Sequence, residues 1–278
     1  MSEYVAKPDP EGINSSTERS PVLDALILVV GFAVLIFALY WTAGFIVEKL
    51  LIKIPAEKEI EIFKKLYPPK EDAGGTDDSI KPIQLKLKEN LKFPIRIQVI
   101  CSQDMNAFAF PGGRIVLTSE LIKKLKTENA LVFVIGHEIG HFANRDHLRG
   151  LGRQIVLSLI SAVTGLGGGM DYISGLGNVS MRTFQQAQEI KADEYGLDLL
   201  ASVYGHYQGA DEFFRVISAE ETRIEKVLDT FVSTHPPSDE RIAFINQRKM
   251  SEAAKANVTK PILLTEDFKK SVKCSGEF

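Results

Sequence analysis

The sequence predicts an α+β protein, mainly α with a small β-sheet, behind one N-terminal transmembrane helix. Three observations lead there. Residues 25–47, "ALILVVGFAVLIFALYWTAGFIV", contain no charged side chain. Three short apolar runs follow between Ile95 and Thr118, two of them separated by the turn signal Pro111-Gly112-Gly113. Most of the remaining chain to about residue 254 reads as helix, with caps and breakers in the expected places.

Residues 1–21 are polar, with Pro8, Pro10, Gly12 and the run Ser15-Ser16-Thr17, and read as a disordered tail. Residues 22–47 are the anchor. As a helix, Ala25–Val47 spans roughly 34 Å at ~1.5 Å per residue, enough for a ~30 Å hydrocarbon layer. A cleaved leader fits less well, since no basic region precedes the run. Residues 48–79 hold an amphipathic helix and a linker. The helix begins at Pro55, with Ile60, Phe63 and Leu66 at three-residue spacing, and "PPKEDAGGTDDS" (68–79) is the linker. The folded domain is expected from Ile80 to residue 254.

Within that domain "IRIQVIC" (95–101), "NAFAF" (106–110) and "RIVLT" (114–118) are strands. Ser119 can cap a short helix, "ELIKKLK", and Thr127 the next, over about 128–145. "QIVLSLISAVTGLGGG" (154–169) is apolar but too short to span a bilayer, and its glycines break it. It reads as a helix and loop, with a membrane-surface helix or a lid as alternatives. Further helices cover about 183–204, 208–228 and 238–254, and residues 255–278 form a mostly polar C-terminal tail that reads as disordered.

With 45% hydrophobic and 25% charged residues the chain can bury a core, and a net charge of −3 gives no reason to expect a nucleic-acid partner. Cys101 and Cys274 are far apart and form no CxxC, so they read as two unrelated free thiols. Lys49, Lys53, Lys58, Lys64 and Lys65 follow the anchor, against Lys7 and Arg19 before it. The positive-inside rule then puts the large C-terminal part on the cytoplasmic side.

The helix over 128–145 carries "VFVIGHEIGHFANRDH". His137 and His141 are four apart, share a helix face and can reach one Zn2+ per chain at ~2.0–2.1 Å. Glu138 lies about 100° around the helix and can take a proton from an attacking water and pass it to a leaving amine. Peptide hydrolysis at a metal is the chemistry this pattern points to, with polypeptides as substrates. Two histidines need a third ligand, and the residues leave two options. In H-E-x-x-H-x-x-G-x-x-H, His147 stands at the third-histidine position, with Asn144 in place of the glycine that makes the sharp turn. In "QEIKADEYGLDLLA", Glu189 and Asp193 share a helix face, so that one can complete a His2Glu set while the other holds a histidine's far nitrogen.

"GHEIGHFANRDH", "EIKADEYGLDLL" and "THPPSDERI" together resemble the zinc metallopeptidase family that includes HtpX and the CAAX prenyl proteases, and "NAFAFPGGRIVLTSEL" is similar to that family's strand-turn region. The likeness covers about 80–250. It implies a gluzincin-type domain in which His137, His141 and Glu189 bind zinc, Glu138 is the catalytic acid/base, Asp193 stands behind a ligand, and His147 is a neighbour. HtpX-like members have further spanning helices after the motif. Here that region is short and glycine-rich, closer to the branch with a soluble catalytic domain that includes mitochondrial and periplasmic quality-control proteases.

His235 or Arg241 can supply the donor an oxyanion needs, and His235 can alternatively close over the metal. Asn106, Ala107, Phe108 and Ala109 can form an edge strand that pairs with an extended peptide. The expected protein is a single-pass membrane metalloendopeptidase of the bacterial inner membrane, in contact with lipid through 25–47. Its rivals are a CAAX-type processing enzyme, for which one span is too few, and an anchored scaffold with a vestigial site, against which intact His137, Glu138, His141 and Glu189 argue.

Overall fold

The computed structural model describes residues 20–66, 80–149, 155–156, 185–221, 235–253 and 260–272. Helix α1, Pro21–Leu51, begins with proline at its first turn and runs longer than the uncharged stretch alone. Leu28 is 73% and Phe32 66% exposed, so this is no core helix of the domain. It is the one helix among the described residues long and apolar enough to cross a membrane.

Helix α2, Ala56–Leu66, packs Ala56 and Ile60 against the core and buries Glu59. The helix read as lying ahead of the folded domain is thus seated on it. Helix α3, Lys81–Lys88, has no counterpart in the sequence reading, although Ile80, Ile83 and Leu87 repeat at helical spacing and are buried.

The sheet has strands β1 (Arg96–Ile100), β2 (Ala107–Phe110) and β3 (Arg114–Thr118) in the order β1-β3-β2. β1 runs parallel to β3, pairing Ile97 with Ile115, and β2 runs antiparallel to it, pairing Phe108 with Val116. Gly112 and Gly113 make the β2–β3 turn at φ 83° and 73°, a region open to glycine. Alternation sends Ile97, Ala107, Ala109, Ile115 and Leu117 into the main core, and Ile100, Phe108, Phe110 and Val116 into a second cluster.

Helix α4, Ser119–Lys124, is capped by Thr118, whose hydroxyl accepts from the Leu121 N–H, not by Ser119. The Ser119 hydroxyl is taken by the Ser102 backbone, accepting from its N–H and donating to its carbonyl. Thr127 caps α5, Glu128–Ala143, as expected, and every residue from Asn129 to Phe142 is buried. Helix α6, Gln186–Tyr204, opens with a reciprocal Gln185–Gln188 cap and stops at left-handed Gly205. Helices α7 (Glu212–Glu221), α8 (Asp239–Ala253) and α9 (Glu266–Ser271) complete the described helices. Apart from 155–156, the apolar run 154–169 lies outside the described residues.

Two expectations are corrected. The C-terminal segment is ordered over 260–272: the Leu264 N–H donates to the Lys126 carbonyl, the Ile262 N–H to Asn129 Oδ1, and the Glu128 N–H to the Ile262 carbonyl. One free donor at the first turn of α5, the Glu128 N–H, is satisfied by this segment. Cys101 is not a free thiol but disulfide-bonded. The chain's other cysteine, Cys274, lies outside the described residues.

Candidate metal centre

Small residues let α5 and α6 approach closely. A Cβ added at Gly136 would lie 2.9 Å from the Gly196 Cα, and one at Gly140 would lie 2.9 Å from the Ala192 Cα. No larger residue fits at either position without moving backbone. The contact slides Glu189 and Asp193 of α6 alongside His137 and His141 of α5, and all four are buried.

Four donor side chains converge: His137, His141, Glu189 and His235. His137 Nε2 is 3.2 Å from His141 Nε2 and 3.3 Å from His235 Nδ1. Glu189 Oε1 is 3.0 Å from His235 Nδ1 and 3.3 Å from His141 Nε2. Glu189 Oε2 is 3.5 Å from His137 Nε2. A tetrahedral shell with bonds of ~2.0–2.1 Å has edges of ~3.3–3.4 Å, so these spacings suit one small divalent cation. The set of three imidazoles and a carboxylate has the right chemistry for it.

Each histidine on α5 is held from behind by a carboxylate. His137 Nδ1 lies 2.8 Å from Asp193 Oδ1 and His141 Nδ1 lies 3.1 Å from Asp146 Oδ2, leaving both Nε2 atoms aimed at the cluster. Asp146 itself accepts from Gln188 Nε2 at 2.6 Å and Arg149 Nε at 3.1 Å. Burial disfavours the His141 charge, but Asp146 and Glu189 outweigh it and raise its pKa to about 9. A metal entering here must displace that proton. Burial also works against the Glu189 charge, yet His235, His141 and His137 hold its carboxyl far below the ordinary range.

Arg241, read in the sequence as a candidate oxyanion donor, is here engaged with carboxylates and a carbonyl. Nε and Nη2 grip Asp193 at 2.7 and 2.8 Å, and Nη1 pairs with Glu189 at 2.6 Å and reaches the Pro236 carbonyl at 3.2 Å. Burial opposes the Asp193 charge, but Arg241 and His137 keep its pKa low. His235 sits within the donor set, and its Nε2 is 3.6 Å from Glu138 Oε1. Burial pushes its pKa down, Glu189 and Glu138 opposing.

Glu138 is 1% exposed and outside the donor set, and its Oε1 has no hydrogen-bond partner among the described residues. Buried polar atoms are rarely left so without a functional reason. Among the described residues β2 pairs only with β3, and Asn106, Ala107, Phe108 and Ala109 are all buried.

His147 is not brought to the cluster. The chain leaves α5 through Asn144 in a right-handed conformation, and the left-handed residue is Arg145, at φ 64°. A short 3-10 turn, Asp146–Leu148, then stacks the His147 ring on Phe142 and points its Nε2 at Glu59, 2.8 Å away. Asp146 and Glu59 were missed in the sequence. Asp146 carried a signal, a carboxylate within five residues of a motif histidine; Glu59 carried none beyond its place on an amphipathic helix.

The sequence profile described as peptidase family M48 matches residues 76–249. Metalloprotease LoiP of Escherichia coli K12 is 33% identical over 171 residues, 58% of this chain and 66% of that protein. Mitochondrial metalloendopeptidase OMA1 of Arabidopsis thaliana is 29% identical over 163 residues, 57% of this chain and 32% of its own. A protease HtpX homolog of Desulfatibacillum aliphaticivorans is 27% identical over 271 residues, 81% of this chain and 80% of its own. The matches therefore span from about a third to four fifths of these relatives' lengths.

Proposed function

Since the chain belongs to peptidase family M48, we propose that it is a zinc-dependent endopeptidase tethered to a membrane by α1. The observation that carries this is the buried set of His137, His141, Glu189 and His235, with Glu138 beside it and outside it. When bound, zinc lowers the pKa of water and polarises a carbonyl. Glu138 takes the proton of the attacking water and returns it to the leaving amine. Asp193 and Asp146 fix the histidine tautomers, and Arg241 fixes Asp193 and Glu189.

His235 would be a fourth ligand where the chemistry needs room for a water and a peptide carbonyl. We read the described arrangement as a closed state in which His235 would help to hold the metal. In the open state His235 swings aside, and its ring N–H serves the oxyanion. Asn106, Ala107, Phe108 and Ala109 then offer backbone groups to an extended peptide. The named proteases among its relatives support polypeptide substrates; a role in quality control of membrane or exported proteins rests only on the motif resemblance. The test is metal removal. Dialysis of the full chain against phenanthroline should lower casein cleavage at least ~100-fold, and one zinc per chain should restore it. Cleavage that survives complete zinc loss would end the proposal.

Charge around α1 favours the cytoplasmic side, but the disulfide at Cys101 favours the opposite one, and we give it more weight. Lysine bias is a tendency, whereas cytosolic thiols are kept chemically reduced. The catalytic domain is therefore assigned to an oxidising compartment. Cells quenched in acid and alkylated without reductant should show Cys101 unmodified, becoming reactive only after reduction. A Cys101 alkylated at once would return the domain to the cytoplasmic side.

A further inference from the structure

We propose that Glu59, on α2 and outside the residues matched by the family profile, is a positioning residue for the metal centre that acts through Asp146; this rests on the metallopeptidase reading. A carboxylate is rarely buried without partners, because losing water costs more than one contact returns. Glu59 is 2% exposed. Its Oε1 accepts from the Gly112 N–H at 2.8 Å and meets His147 Nε2 at 2.8 Å, and its Oε2 pairs with Arg145 Nη2 at 2.5 Å. Burial opposes its charge, and His147, Gly112 and Arg145 hold its pKa below the ordinary carboxylate range.

Two of these partners, Arg145 and His147, flank Asp146 in sequence. Arg145 takes the left-handed backbone that turns the chain out of α5, and it also donates to the Ile54 carbonyl at 2.7 Å, ahead of α2. With Arg145 and His147 both clamped to Glu59, Asp146 between them is directed back toward His141 Nδ1. The third partner, Gly112, belongs to the turn joining β2 to β3, so one carboxylate also ties the candidate peptide-pairing strand to the same segment. α2 has no slack to shift. A Cβ added at Gly112 would sit 2.6 Å from the Phe63 Cβ, and one at Gly113 would sit 3.2 Å from Ile60. A helix that served only to leave the membrane would not need a buried carboxylate bonded to two separate segments.

The experiment uses the full chain in detergent, with Glu59→Ala, Glu59→Gln, Asp146→Ala and the Glu59→Ala/Asp146→Ala double variant. Two quantities are read: zinc retention against a competing chelator, and kcat and KM on a quenched peptide cut by the wild type. Glu59→Ala should weaken zinc binding and lower kcat about tenfold each, the scale of groups that orient a ligand, with KM little changed. Glu59→Gln keeps an acceptor for Gly112 and should lose less; it carries the test if Glu59→Ala fails to fold by circular dichroism. In the double variant Glu59→Ala should add little to Asp146→Ala, as expected of groups acting in series. Unchanged zinc retention and kcat in a folded Glu59 variant overturns the proposal, as does a full multiplicative effect in the double variant. A wild type that retains zinc but cuts no peptide sinks the peptidase reading alone, because chelator competition still reads Glu59. A wild type that binds no zinc sinks both.

Discussion

Glu138→Gln is expected to abolish casein cleavage, by about 10²–10⁴-fold, while leaving one zinc per chain. The substitution keeps volume and most hydrogen bonding but removes the base. Glu138 is buried to 1% exposure, and it is not one of the four converging donors, so its loss takes no ligand from the metal. Its Oε1 has no hydrogen-bond partner among the described residues, which fits an oxygen reserved for a water that is being deprotonated. Zinc content by atomic absorption and cleavage by gel separate the two effects. Wild-type turnover in the variant would mean that another group abstracts the proton, and the mechanism would have to be rebuilt. Loss of zinc along with activity would instead make Glu138 a structural part of the centre.

Helix α5 was legible because its signals are local. Thr127 caps it, apolar residues fill it, and the motif histidines fall on one face by helical geometry alone. The later carboxylates were legible as a pair, but which of them would meet the metal depended on how closely α5 and α6 pack. Gly136, Gly140 and Gly196 permit that approach, and a glycine in a helix does not announce its neighbour. Which residue would turn the chain out of α5 was not legible. Asn144 has the side chain that best tolerates a left-handed backbone, yet Arg145 adopts it, because its guanidinium gains Glu59 and the Ile54 carbonyl there. Those partners lie more than eighty residues earlier, which no periodicity reveals. The ordered C-terminal segment escaped for the same reason: its bonds go to the first turn of α5, and its own composition is that of a tail.

Glu189→Ala is expected to release zinc under mild chelation, whereas His147→Ala is expected to keep one zinc per chain. The two histidines of α5 need a third ligand, and the chain places Glu189 Oε1 3.3 Å from His141 Nε2 while turning His147 toward Glu59. Removing a ligand opens the shell; removing a group behind a ligand costs only ~10–100-fold in affinity or activity. Asp193→Ala should fall in that smaller range, by freeing the His137 ring and leaving the buried Arg241 with Glu189 as its remaining carboxylate partner. His147→Ala removes one partner of Glu59 and a ring stacked on Phe142, so it should lower thermal stability without changing stoichiometry. Circular dichroism on each variant is essential, since an unfolded chain loses metal for trivial reasons. A folded His147→Ala chain that loses zinc while folded Glu189→Ala keeps it would overturn the carboxylate assignment and make a third histidine the ligand.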